Sequence, residues 1–470
     1  MSETMNTLAR VTRRVATAAR GFGAAGALAV AAVAAGQDLL PAAPAQDHAV
    51  FLTGGTVHTV SGETIENGVV GFNEGVITVL GDASVMQIVQ LAPGTEVIDV
   101  SGHHVYPGLF AAHTQLGLTE TQSVRATNDM NEIGSFNPEV RAAVAVNPDS
   151  TLLPVARLNG VLLAGVMPTG GRIAGRASVI RLDGWTWEDM TVRPDAGLVV
   201  NWPGVRARSS MWGSDDRGAQ RRIQQSLDEM RDYWDTAAAY AAARAADASH
   251  PKDLRLEAMR PYLGDRERSS SGTHRVLVAA DDYDEIVSAV SFGAKRGIPM
   301  AIVGGRDAPL CADLLIEHDV PVIIDGVYRF PKRADSAHDE AYTLAARLHD
   351  AGVRFCISGA DRDGNVRNLP YEAAMAARFG LDPEQAVRAI TLTPAEILGV
   401  ADRYGSLEQD KSATLIVTTG DVLEIRSNVA HAFIDGRRVS LKSKQTELRD
   451  KYVEKYRQLG IIPEADDAED

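Results

Sequence analysis

His113 and Gln115 are the residues of this chain whose types and spacing first suggest chemistry. They lie in the run VYPGLFAAHTQLGLTE, Val105–Glu120. An imidazole can bind a metal or move a proton near neutral pH. Residues two apart on a strand point to the same side, so the amide of Gln115 accompanies the imidazole. A carboxyl occupies a comparable place downstream. Asp361 follows the apolar run VRFCIS (353–358) and sits beside Arg362 and Asp363. Both residues also have plainer readings. A lone histidine in an apolar strand is often a hydrogen-bonded core residue, and Asp361 could serve a structural salt bridge.

Cationic and polar side chains stand near the same kind of position. The Gly-rich stretch Pro168–Ser178 (PTGGRIAGRAS) carries Arg172 and Arg176. It lacks the G-K-[ST] ending of a phosphate loop, so a nucleotide is not expected there. Arg367 and Asn368 follow the run that precedes Asp361, and a guanidinium there would suit a substrate carboxylate.

The elements that would position these residues follow from the apolar pattern. Residues 48–104 and 405–441 alternate apolar and polar with frequent Gly, which predicts short antiparallel strands at both ends of the chain. Between them, continuous apolar runs precede helical stretches: VLVAA (276–280), PMAIVGG (299–305), VPVIID (320–325) and VRFCIS (353–358). Such runs suit parallel strands buried on both faces. With PGLFAA, GVLLAGV (160–166) and AGLVVNW (196–202) they make seven of the eight strands of a (β/α)8 barrel. The remaining strand is expected near 250–265, after a long solvated helix over 215–247. The expected architecture is α/β: a TIM barrel over 107–399, a small composite β-sandwich from 46–106 and 400–443, and a C-terminal helix with an acidic tail over 444–470.

The 470 residues carry a net charge of −15, which argues against a nucleic-acid or anionic-membrane surface. Arg10, Arg13 and Arg14 precede the apolar stretch Ala24–Ala35, which is too short to span a bilayer. Residues 1–45 therefore read as a Sec or twin-arginine export signal, and the mature protein as periplasmic with no membrane span. Cys311 and Cys356, the only cysteines, read as buried thiols.

Val105–Gln115, the segment NPDSTLLPVARLNGVLLAGVMPTGGRIAG and TLTPAEILGVADRYGSLEQDKSATLIV together resemble the amidohydrolase superfamily, and within it the imidazolonepropionase-related branch. The resemblance covers about residues 48–445. It implies a hydrolase of carbon–nitrogen bonds other than peptide bonds, cyclic amides included, acting on a small molecule or short peptide at the C-terminal mouth of the barrel. It also implies a divalent metal, zinc first, held by His113 and Asp361. The other usual ligand positions fall on Gln115, on Ala279 in strand five and on Gly304 in strand six, and a strand-four carboxylate would be a residue such as Glu257. Loss of that many ligands makes a metal-free site, or a catalytically inactive binding protein, the alternative. Gln115, Arg172, Arg176, Arg367 and Asn368 are the expected substrate contacts, and self-association into a homo-oligomer is the other partner considered.

Overall fold

The computed structural model describes residues 40–206, 216–264, 274–359 and 363–462. The described residues from Ala42 onward belong to one compact unit. The predicted export signal and acidic tail fall almost entirely outside the described residues. No helix among the described residues is long and apolar enough to cross a membrane.

The chain ends meet in one sheet. Strands β1 (Val50–His58), β2 (Thr64–Asn73), β3 (Val76–Asp82), β4 (Glu96–Asp99) and β5 (His104–Pro107) come from the front. From the back come β14 (Leu415–Thr418), β15 (Val429–Ile434) and β16 (Arg437–Arg438). The order is β16-β15-β14-β5-β1-β2-β3, with β4 alongside β1, and β14 joins β5 antiparallel. Alternation puts Leu52, Val70, Phe72, Leu415 and Phe433 into one apolar cluster. The eight strands form a single hydrogen-bonded sheet built from both chain ends.

The second sheet is a nearly closed barrel in chain order. It comprises β6 (Leu109–Thr114), β7 (Val161–Val166), β8 (Ile173–Arg181), β9 (Thr191–Asn201), β10 (Val276–Ala280), β11 (Met300–Gly304), β12 (Val322–Asp325) and β13 (Phe355–Ser358). The missing strand is therefore β8, not a segment near 250–265, where the chain forms the helix Leu254–Met259. β8 runs antiparallel to both β7 and β9, so the barrel is mixed and departs from a regular (β/α)8 repeat. Ile173–Ser178 of the Gly-rich stretch therefore lie in a strand, in which Arg176 and Ser178 interrupt the apolar run. Both find partners. Arg176 reaches Asp195 at 3.1 Å, and the Ser178 hydroxyl donates to the Pro194 carbonyl at 2.8 Å.

Phe110, Leu163, Val179, Leu277, Ala301, Ile323 and Cys356 fill the barrel interior. A larger apolar layer lies between the strands and the outer helices. The long helix Asp216–Ala246 buries Leu227, Met230, Trp234, Ala237 and Tyr240 along one stripe and leaves the rest solvated, as its pattern predicts. Cys311 and Cys356 are both buried free thiols.

Two local devices fix the backbone at His113. β6 and β13 end the strand order, and the fully buried Ser358 side chain bridges them. Its hydroxyl accepts the His113 N–H and donates to the His113 carbonyl, each at 2.9 Å. The second device is a bulge. Against β7, the register of β6 slips between Ala111 and Thr114, which re-aims the intervening residues. The bulge pushes the Ala112 carbonyl onto Gly165, where a Cβ would lie 2.1 Å from that oxygen. Gly165→Ala is accordingly expected to lose about 1–3 kcal/mol of stability, read as a lower urea midpoint. An unchanged midpoint would mean the bulge relaxes without cost.

Candidate functional site

The C-terminal ends of the barrel strands enclose a cavity of about 290 Å³. This is the face where ends of different strands converge in barrels of this kind. His113 enters from β6 and Gln115 from just beyond it, Met167 and Thr169 from the segment after β7, Asn201 from β9, Ala279 from β10 and Val303 from β11. Ladder pairing sets the last three level with one another, Asn201 against Ala279 and Ala279 against Val303. Gln122 and Met130 close the cavity from the loop after β6. The walls are mostly apolar, with one imidazole and several amides as the polar groups.

His113 is the most constrained of these. Its Nδ1 lies 3.1 Å from Asp325 Oδ1 at the end of β12, and its Nε2 lies 3.4 Å from the Gln115 amide nitrogen. Asp325 pairs in register with Ser358, so the Ser358 bridge and the Asp325 contact hold the same residue from its backbone and its ring. Asp325 was not anticipated. Its signal was available, since VPVIID ends a buried strand on an acid, and a carboxylate at that end faces the mouth.

Behind Asp325 stands Glu372, 1% exposed, on the helix Leu369–Arg378. It accepts the Val327 N–H at 2.6 Å. Burial pushes its carboxyl up to about 7, the backbone donors at Val327 and Tyr328 oppose that shift, and the charge of Asp325 adds to it. Asn201 is held by donating to the Gly170 and Gly171 carbonyls at 3.2 and 2.9 Å. Both glycines have positive φ, so the turn can aim two consecutive carbonyls at one amide.

The remaining predicted residues spread apart. Arg172 lies outside this cavity, ion-paired with Glu229 and donating to the Ser226 hydroxyl at 2.9 Å. Arg176 is committed to Asp195 and to the Glu139 carbonyl. Arg367 is exposed, and its carbonyl accepts from Asn159, which precedes β7 and so lies toward the end of the barrel away from the mouth. Asn368 stands at the N-terminal boundary of the helix Leu369–Arg378 without a side-chain capping bond, and does not line the cavity. Gly304 lies one residue beyond the level of Ala279, and Val303 occupies the predicted strand-six place. Glu257 binds the Tyr240 hydroxyl and Arg260 on an outer helix, and the strand-four position belongs to Asn201. Asp361 lies outside the described residues. Among the described residues no three His, Cys, Asp or Glu side chains gather as a metal centre would require.

The sequence profile of the amidohydrolase family matches residues 218–439. Amidohydrolase tasK of Hapsidospora irregularis is 22% identical over 376 residues, 72% of this chain. That alignment spans only 37% of tasK itself. Among solved structures, an amidohydrolase from Thermotoga maritima MSB8 superposes with a TM-score of 0.71 at 23% identity, covering 83% of this chain and 99% of that one. An uncharacterized protein follows with a TM-score of 0.50 at 17% identity, over 83% of this chain and 99% of its own. Residues 218–439 thus carry the pattern of the amidohydrolase family, and the chain carries the fold of an amidohydrolase.

Proposed function

We propose that the protein is an amidohydrolase-type hydrolase that cleaves a carbon–nitrogen bond, other than a peptide bond, at the mouth of the barrel. The contact between His113 and Asp325 carries the reading. A carboxylate accepting the Nδ1–H leaves Nε2 as the acceptor on the cavity side, where the Gln115 amide N–H now lies 3.4 Å away and gives place to a water when the substrate binds. Water held at Nε2 loses its proton to the imidazole as its oxygen adds to the substrate carbonyl carbon. The carbon–nitrogen bond then breaks, and His113 returns the proton to the leaving nitrogen. The Gln115 and Gln122 amides supply N–H donors for the oxyanion.

The resemblance to the amidohydrolase family implies a divalent metal, but the described donors do not fit one. Amide oxygens are weak ligands for zinc, and Ala279 and Val303 offer none. The same substitutions favour a second reading, in which the barrel binds a ligand without turning it over.

The test is a panel of linear and cyclic amides assayed for amine or ring-opened product, with metal content measured on protein never exposed to chelator. The expected result is turnover that survives chelation, on protein holding far less than one equivalent of zinc, manganese or iron. Full activity in His113→Ala would overturn the proposed mechanism. One bound metal lost together with activity in that variant would restore metal chemistry. Saturable binding without product would favour the second reading.

A further inference from the structure

A second cavity, of about 380 Å³, adjoins the mouth, and Asn201 lines both. Its other walls are the segment after β9 and one face of the long helix Asp216–Ala246, where Ala219, Arg222, Ile223 and Ser226 recur at helical spacing. Arg172, Arg206 and Arg222 line it, together with Ser226, and no carboxylate among the described residues does. The acids that neutralise two of these arginines hold them without lining the cavity. Glu229 pairs with Arg172, and Asp284 reaches Arg206 at 2.7 Å. Arg172 is further held by Ser226 and by packing over the Phe136 ring. Arg222 makes no ion pair with any described carboxylate. The Gln220 amide donates to the Val205 carbonyl at 3.1 Å and so ties the segment carrying Arg206 to the helix carrying Arg222.

We infer that this cavity is an anion subsite, and that the substrate is an amide bearing a carboxylate a few atoms from the scissile bond. A planar fork of N–H donors matches a carboxylate. Among the described residues Arg222 has no acid partner and Arg206 is held only through Nε, while Arg172 is fixed through both terminal nitrogens by Glu229 and Ser226 and adds its charge. The apolar walls of the mouth, with Met130, Met167, Val199 and Val303, suit an apolar body on the same molecule. An N-acyl derivative of an apolar amino acid has this combination. The assignment of substrate class rests on the proposed hydrolysis at the mouth, whereas the binding of an anion does not.

The probes are N-acetyl-L-leucine and its uncharged amide, N-acetyl-L-leucinamide. They are titrated calorimetrically into the full chain, or into His113→Ala if the wild type turns them over. The acid is expected to bind about tenfold tighter or better than the amide, with the preference shrinking at high salt. Arg222→Glu should abolish the preference and leave the affinity for the uncharged amide unchanged. Arg206→Ala should reduce the preference partway, as a second and milder probe. Equal affinities, no binding of the acid, or a preference that survives Arg222→Glu would each overturn the subsite. Turnover without any preference would sink the subsite and spare the hydrolase, and preference without turnover would do the reverse.

Discussion

Asp325→Asn is expected to cut turnover by about 10²–10⁴-fold, the range a positioned general base supplies, while leaving the fold and ground-state binding nearly intact. Asparagine matches aspartate in shape, but its amide can donate a hydrogen bond where the carboxylate only accepts. With the amide nitrogen turned toward Nδ1, the imidazole would carry its proton on Nε2 and present a donor to the cavity. The water would then have no base. Asp325 is partly exposed, so the substitution leaves no deeply buried charge unpaired and should not unfold the barrel. Nitrogen NMR of the labelled imidazole reads the tautomer independently of activity. Wild type should show Nδ1 protonated, and Asp325→Asn should shift that proton to Nε2. A variant with wild-type turnover and an altered tautomer would remove His113 from the chemistry. Wild-type turnover with an unaltered tautomer would instead mean that another group holds the ring.

The parts of this site that were legible in the sequence are those encoded locally. β10 to β13 announce themselves as short β-branched runs bounded by polar turns and followed by helices, and all four stand where expected. β6 was legible for the same reason, and His113 near its end and Gln115 just beyond it do enter the mouth together. The sheet made from both chain ends was visible in its alternation. β8 was not, because a strand flanked by antiparallel neighbours can carry Arg176 and Ser178 once β9 supplies Asp195 and the Pro194 carbonyl. Those partners exist only after the hairpin has formed. Missing β8 also displaced the strand count, so that a carboxylate such as Glu257 was sought where Asn201 stands. The partnership of His113 with Asp325 is illegible for a stronger reason. The two are 212 residues apart, and only closure of the barrel brings β12 near β6. Ser358, 245 residues from His113, completes that closure with one hydroxyl, and nothing in the tetrapeptide FCIS distinguishes that serine from an ordinary strand residue.

Replacing Glu372 by glutamine should remove a fall in stability with rising pH that the carboxyl contributes. In the folded chain its carboxyl titrates at about 7, against an ordinary 4.5, because it is buried. The native state therefore holds more protons than the unfolded state between about 4.5 and 7, and stability falls as pH rises through that window. A shift of this size is worth about 3 kcal/mol. His58 acts in the opposite sense. Burial, then the neighbouring His104, lowers its pKa from 6.5 to about 4, so its contribution is present above 6.5 and lost as pH falls toward 4. Between about 4.5 and 6.5 the two slopes oppose each other, which flattens the wild-type profile. Glu372→Gln removes only the falling slope. Glutamine resembles the protonated carboxyl and keeps an oxygen to accept the Val327 N–H, so the variant should match wild type near pH 4.5. It should then gain on wild type as pH rises, by up to about 3 kcal/mol at pH 8. Urea midpoints of both proteins at pH 5 and pH 8 measure the difference, and other titrating groups cancel in the comparison. A gap that does not widen with pH would mean that Glu372 is ionised in the fold at both values, with the Val327 and Tyr328 donors outweighing its burial.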